Sequence, residues 1–293
     1  MVFRARLATA LAVALSFAVS TPLLAQAPKP EAPAATEFQP VVGQSGKDVI
    51  WVPTPDRVVE KMLELAKVGP GDYVSDLGSG DGRIVVTAAK KLGAQGFGVD
   101  LHPDMVKLSE NRAAKEGVSD RAKFYVRDIF ETGLKPASVV TMYLLPSLNL
   151  KLRPRILDLK PGTRVVSHAF DMSDWEPEVY DTSTGNSVRL WIVPAKAGGE
   201  WSVRTSNPGK AGELDLRQTF QMLGGAGRYG GQVVTVRDAK LLGEQVSFTL
   251  LEDANGGIRH EFRGKVTGDA MEGTVRSGAE TATFTATRKA PRS

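Results

Sequence analysis

Val74-Ser75-Asp76-Leu77-Gly78-Ser79-Gly80-Asp81-Gly82-Arg83 decides the fold of this 293-residue chain. A short apolar run leads into three glycines at alternate positions. Apolar residues then recur at helical spacing through 83–92, until Gly93 stops them. Strand, glycine turn and helix in that order open an α/β unit. Glycine is required where the backbone turns sharply and lies against a ligand.

Outward from this loop, strand and helix patterns alternate. Val58, Val59, Met62, Leu63 and Ala66 predict a helix over 56–67, broken by Gly69-Pro70-Gly71-Asp72. Further strands are expected over 73–77, 96–100, 122–126, 138–145 and 163–170. Helices are expected over 83–92, 103–116 and 148–157, the last bent or interrupted at Pro154. Residues 178–180 and 187–193 form a closing pair around Thr184-Gly185-Asn186. Such alternation implies a mostly parallel sheet with right-handed crossovers, helices on both faces, and ligands at the carboxyl ends of the strands.

Past Gly198-Gly199 the pattern changes to seven expected strands: 201–205, 214–222, 233–242, 245–251, 260–266, 271–275 and 281–287. In the last, threonine takes every second position while Ala282, Phe284 and Ala286 share the other face. An antiparallel meander follows, as barrel or sandwich. The expected fold class is therefore α/β, a Rossmann-like doubly wound, mostly parallel sheet (49–197), followed by a small antiparallel β domain (199–293). The β domain holds no cluster of acids, histidines or glycine loops suited to catalysis and is expected to stand apart from the ligand site.

The amino-terminal stretch reads as an address. Arg4 and Arg6 precede an uncharged Ala/Leu/Val-rich run over 7–19, and Ala25-Gln26-Ala27 is a small-x-small cleavage site. Residues 1–27 are thus expected to be a signal peptide, and 28–48 a Pro/Ala-rich linker. The expected location is exported, periplasmic or envelope-associated. The competing reading is an uncleaved membrane anchor. The absence of cysteine excludes disulfides, thiolate metal sites and cysteine nucleophiles. A net charge of +4 without a Lys/Arg block argues against nucleic acid as partner. His102, His168 and His260 lack metal-ligand spacing, so no metal site is expected. Ser167, His168 and Asp171 have the letters of a hydrolase triad. However, neighbours on a strand point to opposite faces, so Ser167 and His168 do not pair, and His168 reads as a strand-end residue near the pocket.

The loop's chemistry narrows its ligand. A dinucleotide fingerprint wants a third glycine where Arg83 stands, and Asp76 and Asp81 would repel a pyrophosphate. Two carboxylates suit a ligand with an ammonium group and no phosphate, such as S-adenosylmethionine. Asp100, at the end of the second strand, is placed to accept from ribose hydroxyls, against the alternative of a helix cap. Asp128 ends the third strand, with Ile129 and Phe130 beside it. For Asp76, hydrogen bonding to the loop backbone competes with ligand contact.

These segments together, with Val52-Pro53-Thr54-Pro55 before them and Tyr143-Leu144-Leu145-Pro146, Lys160-Pro161-Gly162 and Val166-Ser167-His168-Ala169-Phe170 after, resemble class I S-adenosylmethionine-dependent methyltransferases. The pattern is most similar to the group containing the lysine methyltransferases of the mitochondrial ATP synthase c-subunit and adenine nucleotide carrier. It covers about residues 50–180. The resemblance implies that Asp76, Gly78, Gly80 and Asp81 line the methionine end of the cofactor, Asp100 the ribose and Asp128 the adenine. It also implies a protein lysine as acceptor, and an envelope or membrane protein is the further partner expected. One departure stands out. Amine methyltransferases often carry Asn-Pro-Pro-Tyr or Asp-Pro-Pro-Tyr after the fourth strand, where this chain has Met142-Tyr143-Leu144-Leu145-Pro146. Tyr143 or Asn149 is then the candidate for holding the acceptor, and no dedicated base is evident. The alternative function is an exported, non-catalytic binding protein that keeps the fold.

Overall fold

Helix α1 (Asp56–Leu65) starts behind Pro55 and buries Val58, Val59, Met62 and Leu63 along one stripe. The computed structural model describes residues 38–43, 51–207, 210–252 and 257–290. The expected signal peptide and most of the expected linker lie outside the described residues. Behind α1 come β1 (Tyr73–Leu77), α2 (Arg83–Leu92), β2 (Gln95–Asp100), α3 (Pro103–Lys115), β3 (Ala122–Val126), β4 (Val139–Met142), α4 (Pro146–Leu157) and β5 (Arg164–His168). A hairpin-like pair, β6 (Val179–Asp181) and β7 (Val188–Ile192), completes the first half. The seven strands form one sheet in the order β3-β2-β1-β4-β5-β7-β6, parallel except for β7, which runs antiparallel to both β5 and β6.

The core lies on both faces, as expected of strands covered by helices on either side. Alternation sends Val74 to a cluster with Met62, Ile84 and Val166, and sends Leu77 to another with Val99, Met142, Ile156 and Trp191. Two boundaries differ from the sequence reading. Strand β4 ends at Met142, so Tyr143 lies just beyond it. Helix α4 begins at Pro146 rather than 148, because Pro at its first position costs no hydrogen bond, and it runs on through Pro154.

The second half is a closed barrel of eight antiparallel strands: β8 (Gly199–Thr205), β9 (Ala211–Thr219), β10 (Met222–Tyr229), β11 (Gln232–Leu242), β12 (Gln245–Glu252), β13 (Arg259–Thr267), β14 (Ala270–Ser277) and β15 (Glu280–Arg288). Strand β15 pairs back onto β8, which leaves no open edge. The expected seven strands become eight because 214–222 is cut by a turn at Phe220-Gln221, and Met222–Tyr229 follows as a strand of its own. Its sequence, Met-Leu-Gly-Gly-Ala-Gly-Arg-Tyr, shows no alternation. A Cβ at Gly225 or Gly227 would stand 2.0 Å from the Asp215 or Glu213 carbonyl oxygen, so bare backbone is needed there. Trp201, Phe248, Phe262 and Phe284 fill the interior, as the width of an eight-stranded barrel allows.

The halves are in contact. The Phe220 ring, at the β9–β10 turn, stacks on Trp175 of the sheet domain with centroids 5.7 Å apart and 17° between planes. The Arg153 guanidinium lies 5.2 Å from the Phe220 ring centroid. Gln221 Nε2 donates to the Glu176 carbonyl at 2.8 Å, and Ala195 N donates to the Gly243 carbonyl at 2.8 Å. Among the described residues, no helix is long and apolar enough to cross a membrane.

Candidate active site

The glycine loop turns at the carboxyl end of β1, where Gly78, Gly80 and Gly82 all have positive φ, 77°, 53° and 75°. At Gly80 a Cβ would stand 2.8 Å from the Trp51 indole nitrogen, and at Gly82 one would stand 2.7 Å from both Phe124 Cζ and Ser109 Cβ. The loop is therefore enclosed on two sides, and both positions demand glycine for space as well as for φ. Ser109 Oγ donates to the Gly80 carbonyl at 2.8 Å and secures the loop from α3.

Three acids lie at this turn and a fourth, Asp128, lies beyond β3, and they differ in what holds them. Asp76 is buried, and its Oδ1 accepts a 2.7 Å bond from Thr141 Oγ1, directly opposite in the β1–β4 register. No cation pairs with it among the described residues. Burial pushes its carboxyl up to about 7, the Thr141 bond pulls it down, and the Asp100 and Asp81 charges add to the rise. Asp81, by contrast, is spent on the protein: Arg83 Nε and Nη2 bind its two oxygens at 2.9 and 2.6 Å, and Arg112 lies 2.9 Å from Oδ2. Asp100 braces the turn, accepting from Gly80 N at 3.0 Å on one oxygen and from His102 N at 2.9 Å on the other. Each oxygen keeps a lone pair, so the cap and the ribose readings are compatible. Asp128 accepts from Phe130 N at 2.8 Å, and Arg155 ties down the carbonyls of Ile129, Phe130 and Thr132 behind it.

The segment before α1 enters the site, which the sequence pattern did not reveal. Arg83 Nη1 donates to the Thr54 carbonyl at 2.7 Å, so the arginine that displaces a glycine from the dinucleotide fingerprint links Thr54 to Asp81. Thr54 Oγ1 in turn lies 3.2 Å from His168 Nδ1. Tyr143 packs its ring on His168, centroids 3.9 Å apart, and faces Phe170 at 5.9 Å and 21°. Asn149 is fully buried in α4; its Nδ2 donates to the Asp171 carbonyl at 3.0 Å while Oδ1 has no partner. Ser167 Oγ reaches only a backbone carbonyl at 3.4 Å and does not pair with the His168 ring. Asp76, Gly78, Gly80 and Asp100 thus come together at the turn, Asp128 lies two residues beyond β3, and Tyr143 and Asn149 follow β4. Among the described residues, no group of three His, Asp or Glu could hold a metal ion.

The donor set matches S-adenosylmethionine and not a phosphate ligand. A buried carboxylate without a cation, Asp76, favours an ammonium group, while the guanidinium groups of Arg83 and Arg112 are both held by Asp81. The strand order, the antiparallel β7, the glycine turn after β1 and the acid ending β2 define a class I S-adenosylmethionine-dependent methyltransferase. Residues 76–179 match the family model of the ANTKMT methyltransferase domain, and the chain belongs to this family of methyltransferases.

The chain is 42% identical over 151 residues to a protein-lysine N-methyltransferase of Saccharolobus islandicus, covering 50% of this chain and 94% of that protein. It is 35% identical over 147 residues to the human lysine N-methyltransferase of the ATP synthase c-subunit, covering 50% of this chain and 61% of the human one. Among solved structures, an RNA methyltransferase from Salinibacter ruber in complex with S-adenosyl-L-homocysteine is 49% identical, with 50% of this chain and 95% of that chain covered and a TM-score of 0.49.

Proposed function

We propose that this protein transfers a methyl group from S-adenosylmethionine to the ε-amine of a lysine in another protein. The observation that carries the reading is the 42% identity to the archaeal protein-lysine N-methyltransferase over nearly the whole of that relative. Asp76, Gly78 and Gly80 take the methionine end of the cofactor, Asp100 the ribose, and Asp128 with Ile129 and Phe130 the adenine. Asp81 serves the same end by fixing Arg83 and Arg112 beside the turn. The amine's lone pair forms the new N–C bond as the methyl–sulfur bond breaks, and the bonding pair returns to sulfur. Before that, the acceptor ammonium releases one proton to solvent. Desolvation and the adjacent sulfonium charge both favour the neutral amine, so a strong base is unnecessary. Arg4, Arg6, the apolar run over 7–19 and Ala25-Gln26-Ala27 support a further reading, export to the periplasm or envelope, where the acceptor would be an envelope protein.

The test is transfer of labelled methyl from S-adenosylmethionine by the purified chain into a cell extract divided into cytoplasmic, envelope and RNA fractions. Methyl-lysine in hydrolysed envelope protein is expected. Label confined to RNA would overturn the lysine reading, and label confined to cytoplasmic protein would overturn the envelope reading.

A further inference from the structure

Two of the three histidines are almost wholly buried, and they are treated differently. His260, inside the barrel, has both ring nitrogens engaged, Nδ1 by Ser277 Oγ at 2.6 Å and Nε2 by Glu252 Oε1 at 3.0 Å. It is a satisfied cross-link between strands. His168, at the carboxyl end of β5, is 2% exposed, with Nδ1 on Thr54 and Nε2 without any partner. A buried polar nitrogen left without a partner is costly in a folded protein, and this one stands on the ligand-binding end of the sheet.

The backbone around His168 is also under strain. Ala169 has φ 65°, a left-handed conformation that alanine rarely adopts. It is held there by its own N–H on the Ser187 carbonyl at 2.7 Å, by Ser187 Oγ donating to its carbonyl at 3.1 Å, and by Arg189 on the same carbonyl. With the chain bent at Ala169, His168 and Phe170 both lie against Tyr143. Strained backbone beside an open polar atom is what a binding site stores, and a purely structural strand end has no need of it.

We propose that His168 is the acceptor-binding residue of this methyltransferase: Nε2 accepts a hydrogen bond from the incoming amine, which enters beside the rings of Tyr143 and Phe170. This rests on the lysine reading above. The assignment requires a proton on Nδ1, with Thr54 Oγ1 accepting it, so that Nε2 presents its lone pair. His168 orients the amine and does not take its proton. Burial pushes the imidazole down to about 4, and no charged group contributes to that shift. So weak a base stays neutral beside the amine. Aromatic faces suit the partly positive amine before transfer and the methylammonium after it. Asn149 Oδ1, buried and also without a partner, is a second acceptor, on α4, for a remaining N–H.

The experiment compares the full wild-type chain with His168→Phe, which keeps a ring and removes both nitrogens, and with His168→Gln, whose amide reaches the Nε2 position. Cofactor affinity is measured by calorimetry with S-adenosylmethionine. Transfer is measured as labelled methyl-lysine in the same extract protein, as a function of pH. Affinity for the cofactor should remain within about twofold in both variants, which also reports the fold. Transfer per unit enzyme should fall about ten- to a hundredfold in His168→Phe, the loss expected for one hydrogen bond to a charge-bearing group, and recover in part in His168→Gln. The acidic limb of the rate profile should stay at the same pH in wild type and His168→Gln. Wild-type transfer rates in both variants would overturn the proposal and leave the lysine reading standing. An acidic limb that disappears with His168→Gln would make His168 a general base and overturn the orienting role. If His168→Phe loses the cofactor or fails to fold, Thr54→Val decides: it frees the imidazole tautomer and should lower transfer with cofactor affinity intact, and an unchanged rate overturns the proposal. Wild type that methylates no lysine removes the lysine reading and this proposal with it.

Discussion

Lowering the pH from 8 to 6 should weaken S-adenosylmethionine binding about fivefold, and Asp76 is the reason. Its carboxyl is pushed up to about 7 by burial, so below that pH the free protein holds a proton where the cofactor's ammonium needs a negative charge. Each pH unit below 7 then costs close to a factor of ten, about 1.4 kcal/mol. Binding near pH 6.5 should release a proton, which calorimetry in buffers of different ionisation enthalpy counts directly. The cofactor's own amine, near 8 as an ordinary α-amino group, should impose a second decline on the alkaline side. The same group has an opposite signature in stability. An acid whose folded value lies above its unfolded value near 3.9 binds more protons folded than unfolded between those two values. Stability is therefore lost as pH rises from about 4 to 7, and is flat above. Asp76→Asn, which keeps an oxygen for Thr141 Oγ1, should bind the cofactor at least tenfold more weakly. It should also lose the pH dependence of binding between 5.5 and 7.5, and unfold at higher denaturant than wild type at pH 8. A dissociation constant that stays flat between pH 5.5 and 7.5 in wild type, with no proton released, would refute the reasoning. A steep dependence that survives Asp76→Asn would place the titrating group elsewhere.

Asp100→Ala should weaken the cofactor by about 1–3 kcal/mol, the cost of unpaired hydroxyls. Because it also frees the Gly80 and His102 amides, a modest loss of thermal stability should accompany the calorimetric result. Gly82→Ala forces alanine into φ 75° and its methyl to 2.7 Å from Phe124 and Ser109; about 2–4 kcal/mol of stability should be lost in urea unfolding. Phe220→Ala removes the ring stacked on Trp175 and should cost about 2 kcal/mol by the same measurement, with cofactor affinity unchanged. An undiminished midpoint in Phe220→Ala would mean that the barrel and the sheet domain are energetically independent.

The chain's local patterns were enough for the sheet domain. Periodicities of 3.6 and 2 and the stops at Gly69-Pro70, Gly93 and Gly117 place its helices and strands, because local steric rules act within a few residues. The glycine turn and its acids were legible for the same reason: φ, space and charge are properties of the turn itself. Strand β10 was not, since its glycine-rich sequence carries no alternation, and the need for Gly225 and Gly227 is set by the carbonyls of the neighbouring strand β9. The tertiary structure alone decided how the acids divide their work. Asp76 and Asp81 look alike in sequence, yet one lies buried opposite Thr141 across a β1–β4 register and the other is neutralised by Arg83 and Arg112. It also decided that Thr54, 114 residues away in the chain, faces His168 and leaves its Nε2 open. Charge neutralisation, burial and an unpaired lone pair depend on which distant groups arrive within about 3 Å. Residue spacing along the chain carries no record of that.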